Sequence, residues 1–123
     1  MKIRILGNSL RLRLSQTDIN TLDKSGRVEE RIQFPGGVAL VYSLNTSEGS
    51  ALEVEFEDLD VKTYVPDSFV REWVDTDRVG FEGLISLPSN EELKILIEKD
   101  FKCLTDRGED ESNLFANPNK ESC

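Results

Sequence analysis

The sequence predicts an α+β domain: a largely antiparallel β-sheet, able to close partway into a barrel, with two short helices at about 16–24 and 67–75. Three observations carry this reading. Most of the chain alternates apolar and polar residues with the period of two that marks half-buried strands. Only two short stretches switch to helical spacing. Gly, Pro, Asn and Asp fall between the periodic segments, where turns are needed.

The elements follow in order. Ile3 and Ile5, then Leu10, Leu12 and Leu14, alternate with Arg4, Arg11 and Arg13, and Gly7-Asn8-Ser9 breaks the run into two strands. Ser15 and Asp18 form a capping box, Ile19 and Leu22 lie three apart, and Gly26 supplies a left-handed stop, which bounds the first helix. Val28, Ile32 and Phe34 face one way while Arg27, Glu29, Arg31 and Gln33 face the other. Pro35-Gly36-Gly37 then turns the chain into a strand over 38–44, making a hairpin. After a polar loop over 45–50, Leu52, Val54 and Phe56 alternate with Glu53, Glu55 and Glu57, the clearest strand signal in the chain. Asp58-Leu59-Asp60 returns it as 61–65. Pro66-Asp67-Ser68 opens the second helix, whose stripe is Phe69, Val70, Trp73 and Val74.

Val79, Phe81, Ile85 and Leu87 form an extended segment with Gly80 and Gly83 permitting a bend. The stretch 93–104 fits either a helix behind Ser89 and Glu92 or a strand. β-branched Ile95 and Ile97, with Ile95 off the helical stripe, select the strand. The single domain is expected to span 1–106, and the acidic remainder, 107–123, to be a mostly disordered tail with Phe115 its one anchor. No internal repeat is visible in the sequence.

Composition narrows the chemistry. At 123 residues and 37% hydrophobic the chain makes about one domain. Histidine is absent, which removes Ser-His and Cys-His nucleophile pairs, His-ligated zinc and a neutral-pH imidazole switch. Two cysteines are too few for a thiolate zinc site; Cys103 reads as a small core residue and Cys123 as a terminal thiol. The longest apolar stretches, 38–42 and 95–97, are far short of the roughly 20 residues of a membrane-spanning helix. The opening residues lack the apolar core of a signal peptide, so a cytoplasmic location with no membrane partner is expected. No motif asks for a cofactor: Gly7 and Gly36-Gly37 lack a phosphate-loop context, and Lys99 and Asp100 alternate to opposite faces.

Two clusters remain as candidate sites. Glu53, Glu55 and Glu57 share a strand face with Asp60 in the turn behind them, the one place where carboxylates could gather around Mg²⁺ or Ca²⁺. A row of carboxylates facing basic side chains on a neighbouring strand gives the same pattern. The net charge of -9 is uneven: residues 1–31 carry seven basic and four acidic side chains, a local +3 that leaves -12 for the rest. A local basic footprint built on Lys2, Arg4, Arg11 and Arg13 can therefore coexist with an acidic whole.

Gly7-Asn8-Ser9-Leu10, Arg13-Leu14, a short helix ending at Leu22, the Gly26 turn and Val28-Glu29 give residues 2–30 a resemblance to the swapped-hairpin DNA-binding domains of transition-state regulators and antitoxins. In such domains two chains interleave and basic side chains near the first strand contact DNA, which the resemblance places on Lys2, Arg4, Arg11 and Arg13. Ser15 stands where that family usually has Pro. The whole chain resembles, more specifically, a family of small bacterial proteins known only as a domain of unknown function, through Lys2 to Leu14, Gly26 to Ile32, Leu96 to Leu104, Glu109 to Glu111, Phe115 and Asn117-Pro118. That resemblance implies one fold across the chain and no activity.

These readings favour a non-enzymatic domain that binds a protein partner or a small molecule. The alternative is a swapped-hairpin DNA-binding regulator or antitoxin, and the third a divalent-metal or phosphate-dependent enzyme built on the strand carboxylates. The pairing of residues 1–44 decides between the first two: an interleaved second chain favours DNA, and a sheet shared with 52–104 of the same chain argues against it.

Overall fold

The structure, a computed structural model, describes residues 1–101 with Asn113, Phe115 and Ala116. The sequence reading of Cys103 and Cys123, and most of the tail reading, lie outside the described residues. Eight strands and two helices follow one another as β1 (Lys2–Ile5), β2 (Ser9–Leu14), α1 (Gln16–Ser25), β3 (Arg27–Phe34), β4 (Val38–Ser47), β5 (Glu53–Glu57), β6 (Asp60–Pro66), α2 (Asp67–Asp75), β7 (Gly80–Ser86) and β8 (Glu92–Lys99). The α+β class and both helices stand as the sequence predicts. The strands form two four-stranded sheets, ordered β1-β2-β8-β7 and β3-β4-β6-β5.

Local signals explain the element ends. Ser15 Oγ accepts the Asp18 amide hydrogen and the Asp18 carboxylate accepts from the Ser15 amide, the capping box in full. Gly26, at φ 76°, closes α1 with its N–H on the Leu22 carbonyl. Of the ambiguous stretch 93–104, the part up to Lys99 is strand β8, and 102–104 lie outside the described residues. Strand β4 runs three residues beyond its apolar run, because Asn45, Thr46 and Ser47 find partners in Tyr64, Val65 and Pro66. Gly80 serves no bend. A Cβ there would collide with the carbonyl oxygen of Ile97, so glycine is required by close approach of the strand partner.

Each sheet joins two antiparallel hairpins through a parallel central pair, β2 with β8 and β4 with β6. The repeat that the sequence hides is therefore present in the backbone: residues 2–47 and 53–99 are both hairpin, helix, hairpin. The registers match position by position. Ile5↔Leu10 in the first hairpin corresponds to Phe56↔Val61 in the third, and Val28↔Leu44 in the second to Phe81↔Ile97 in the fourth. Gly7 at φ 55° answers Asp58 at φ 52°, and Gly37 at φ 77° answers Asn90 at φ 64°. Each half gives one hairpin to each sheet, so the halves interleave. The exchange that the swapped-hairpin resemblance implies between two chains occurs here within one.

The inner faces of both sheets and the helix stripes share one core. Leu12, Leu14, Ile95 and Ile97 come from one sheet, Val28, Tyr42, Leu44 and Val65 from the other, and Ile19, Leu22, Val70 and Trp73 from the helices. Ile19 and Val70 hold equivalent places in the two halves, as do Leu22 and Trp73. Trp73 is fully buried, stands edge-on to Phe81 and donates its indole N–H to the Val79 carbonyl at 3.0 Å. Asn113 is seated on the start of α1: its carbonyl accepts the Gln16 amide hydrogen and its side chain bonds Thr17 and Ser15. Phe115 donates its amide hydrogen to the Asp100 carbonyl.

Candidate functional site

The outer face of the β1-β2-β8-β7 sheet gathers the basic residues of the N-terminal segment and adds one from far along the chain. Alternation turns Ile3, Leu10, Leu12 and Leu14 inward and their neighbours outward. Across the sheet the outward rows read Lys2–Arg13–Glu98–Gly80, then Arg4–Arg11–Leu96–Glu82, then Ser9–Lys94–Leu84. Two shallow hollows adjoin here. One, of about 210 Å³, is lined by Lys2, Ile3, Arg4, Arg11 and Arg13. The other, of about 190 Å³, shares Arg4 and Arg11 and adds Leu6, Leu10, Lys94 and Leu96.

Glu98 organises the face. Its Oε1 accepts from Arg11 Nε at 2.6 Å and from Arg13 Nε at 2.8 Å, so one carboxylate oxygen holds two guanidinium groups side by side. Lys2 Nζ lies 3.1 Å from the buried carboxylate of Asp100. Arg4 is exposed and has no acidic partner among the described residues. The face therefore offers donors and positive charge around the apolar Leu6 and Leu96.

Sequence reasoning placed Lys2, Arg4, Arg11 and Arg13 together, and the fold brings all four onto this face. It missed Lys94 and Glu98. The alternation of Lys94 with Ile95 and Ile97 marked them as outward-facing, but the neighbour of β8 is set by a parallel pairing with β2 that no local pattern announces.

The candidate metal residues stand on the other sheet. Glu53, Glu55 and Glu57 point outward from β5 opposite Tyr64, Lys62 and Asp60. Asp60 already accepts from Arg27 at 3.5 Å and Ser43 at 3.4 Å, and Arg27 in turn binds Asn45, Ser43 and Glu29. Among the described residues no three acidic or sulfur side chains converge as a metal site, since carboxylates two apart on a strand are about 7 Å from one another.

Because the halves repeat, the two sheets can be compared residue for residue. Lys2 corresponds to Glu53, Arg4 to Glu55 and Leu6 to Glu57. Where the first hairpin sets Lys2 against Arg13 and Arg4 against Arg11, the third sets Glu53 against Tyr64 and Glu55 against Lys62. One outer face is basic and its counterpart acidic.

A family model described as a family of unknown function matches residues 1–119. No curated protein and no solved structure matches the chain. Among the described residues no helix is long and apolar enough to cross a membrane.

Proposed function

We propose, for a chain that belongs to DUF7009, a family of unknown function, that the domain is a binding module which takes an acidic, partly apolar segment of a protein partner on the outer face of the β1-β2-β8-β7 sheet. The observation that carries this reading is the like-charged rung Arg4↔Arg11, in which Arg4 is exposed and has no acidic partner among the described residues. Like charges directly opposite on a sheet destabilise it, and a position that breaks a local rule without structural gain points to use elsewhere. A carboxylate arriving from a partner supplies the counter-charge that Arg4 lacks, while Leu6 and Leu96 accept apolar side chains from the same segment.

Geometry favours an acidic peptide over duplex DNA. Dimeric regulators read paired half-sites with two equivalent basic surfaces. Here the surface equivalent to Lys2 and Arg4 carries Glu53 and Glu55, so half of that arrangement repels phosphate.

Anisotropy titrations decide the matter. A labelled peptide of alternating Glu and Leu should bind saturably at about 50 mM salt and weaken as salt rises, and Arg4→Ala with Lys94→Ala should remove most of the affinity. A random duplex should show no shift at micromolar protein. Binding of the duplex, with a salt slope that falls by about 0.9 for each cation removed, would overturn the peptide reading in favour of DNA. Binding of neither probe would end the proposal.

A further inference from the structure

A further hollow, of about 200 Å³, opens beside the two helices and shares no lining residue with the two on the basic face. Ile19, Trp73 and Phe115 give it apolar walls, Gln16 and Asn20 add amides from α1, and Lys99 supplies its one cation. Lys99 ends β8 and is only 9% exposed. Its partners are neutral: Nζ donates to the Thr76 carbonyl at 3.0 Å and lies 5.0 Å from the centre of the Phe115 ring.

An ammonium carries three donors, and among the described residues no carboxylate forms an ion pair with this one. A buried cation held by a carbonyl and a ring face alone is incompletely compensated. We propose that this hollow binds a small organic carboxylate with a flat apolar body, its carboxylate completing the shell of Lys99 and its body lying against the aromatic walls. A single cation among apolar groups suits a monoanion better than a phosphate, whose greater charge asks for several donors. Burial pushes the Lys99 ammonium below its ordinary value, with the charge of Asp77 offsetting part of the effect, as expected for a cation awaiting a counter-ion.

The chain has a single tryptophan, and because Trp73 lines the hollow its emission reports on this site. Benzoate titrated at constant ionic strength should change that emission saturably, and benzamide, its neutral counterpart, should bind about tenfold more weakly or worse. Lys99→Met, matched in length and apolar, should abolish the benzoate response while keeping a cooperative melt, and Lys99→Arg should retain part of it. An unsaturable benzoate response, equal affinity for benzamide, or a benzoate response surviving in Lys99→Met would each overturn the proposal. The benzoate and benzamide comparison uses the unaltered protein, so it holds even if Lys99→Met fails to fold.

Discussion

Arg4 and Glu55 hold equivalent positions in two hairpins of matching register and carry opposite charges: Arg4 faces Arg11 across its hairpin, whereas Glu55 faces Lys62. The backbone treats the two halves alike, so the difference lies entirely in what each outer face presents. The third hairpin sets opposite charges on one rung, Glu55↔Lys62, and like charges on another, Glu57↔Asp60. In the first, Arg4 alone of the four basic side chains has no acidic partner among the described residues, and this makes stability and binding separable by mutation at that position.

Arg4→Glu should therefore stabilise the protein while weakening the acidic peptide. Replacing the like-charged rung by an attractive one gains about 0.2–1 kcal/mol at an exposed site. Peptide affinity should fall at least tenfold, since a carboxylate then stands between the two hollows. Urea midpoints and anisotropy on the same preparations check both halves of this statement; a loss of stability with unchanged affinity would contradict it.

Glu98→Gln should act in the opposite sense. The carboxylate that aligns Arg11 and Arg13 has a side chain only 12% exposed, so losing its charge should cost about 1 kcal/mol from two partly buried charge-assisted bonds. The freed guanidinium groups should then bind the acidic peptide more tightly. A double-mutant cycle with Arg11→Ala isolates the coupling, expected at about 0.5–1 kcal/mol.

Gly80→Ala should be among the more damaging small substitutions in the chain, because the added methyl meets backbone of β8, which cannot swing aside as a side chain can. Overpacking of this kind costs about 1–3 kcal/mol. Gly36→Ala provides the contrast: nothing lies within 4 Å of the added methyl there, and only its φ of 91° opposes the change. Thermal melts of the two variants separate close approach from backbone strain.

The hairpins and helices were legible in the sequence because their signals are local. Alternation names the inward residues, Ser15 with Asp18 starts α1 and Gly26 stops it, and Pro35-Gly36-Gly37 turns the second hairpin. The central parallel pairs were not legible. Nothing in Ser9–Leu14 specifies Glu92–Lys99 as its neighbour, since pairing of distant segments depends on how the inward faces fit the common core. The repeat was hidden for a related reason. Leu12 answers Thr63 and Val28 answers Phe81, so burial is kept while residue identity is not. The basic face inherited both limits: its N-terminal half was evident, and Lys94 and Glu98 became part of it only through the β2–β8 register. Lys99 gave no signal, because a lysine that ends a strand reads as solvated until Phe115 and α1 are placed around it.

Stability should respond to pH through three groups, Asp18 and Lys99 displaced downward and the Met1 ammonium upward. Burial works to raise Asp18, but hydrogen bonds from the Met1 ammonium and from Ser15 outweigh it and hold the carboxyl below its ordinary 3.8. This contribution is fully present above pH 3.8 and is lost as pH falls through the lower folded value, so Asp18→Asn should flatten the acid limb. Lys99 is also held below its ordinary value, 10.5, by burial, but the consequence lies on the alkaline side. The unfolded chain keeps the lysine proton where the folded chain has released it, so this group makes stability rise with pH up to about 10.5. The Met1 ammonium opposes that rise. Burial lowers it, yet Asp18 and Glu30 bring it above its ordinary 8.0, and the stability it adds below pH 8.0 is lost as pH climbs through the folded value. The difference in urea midpoint between the unaltered protein and Lys99→Met cancels the Met1 effect and should shift towards the unaltered protein from pH 8.5 to 10; a constant difference would show that Lys99 does not titrate across that range.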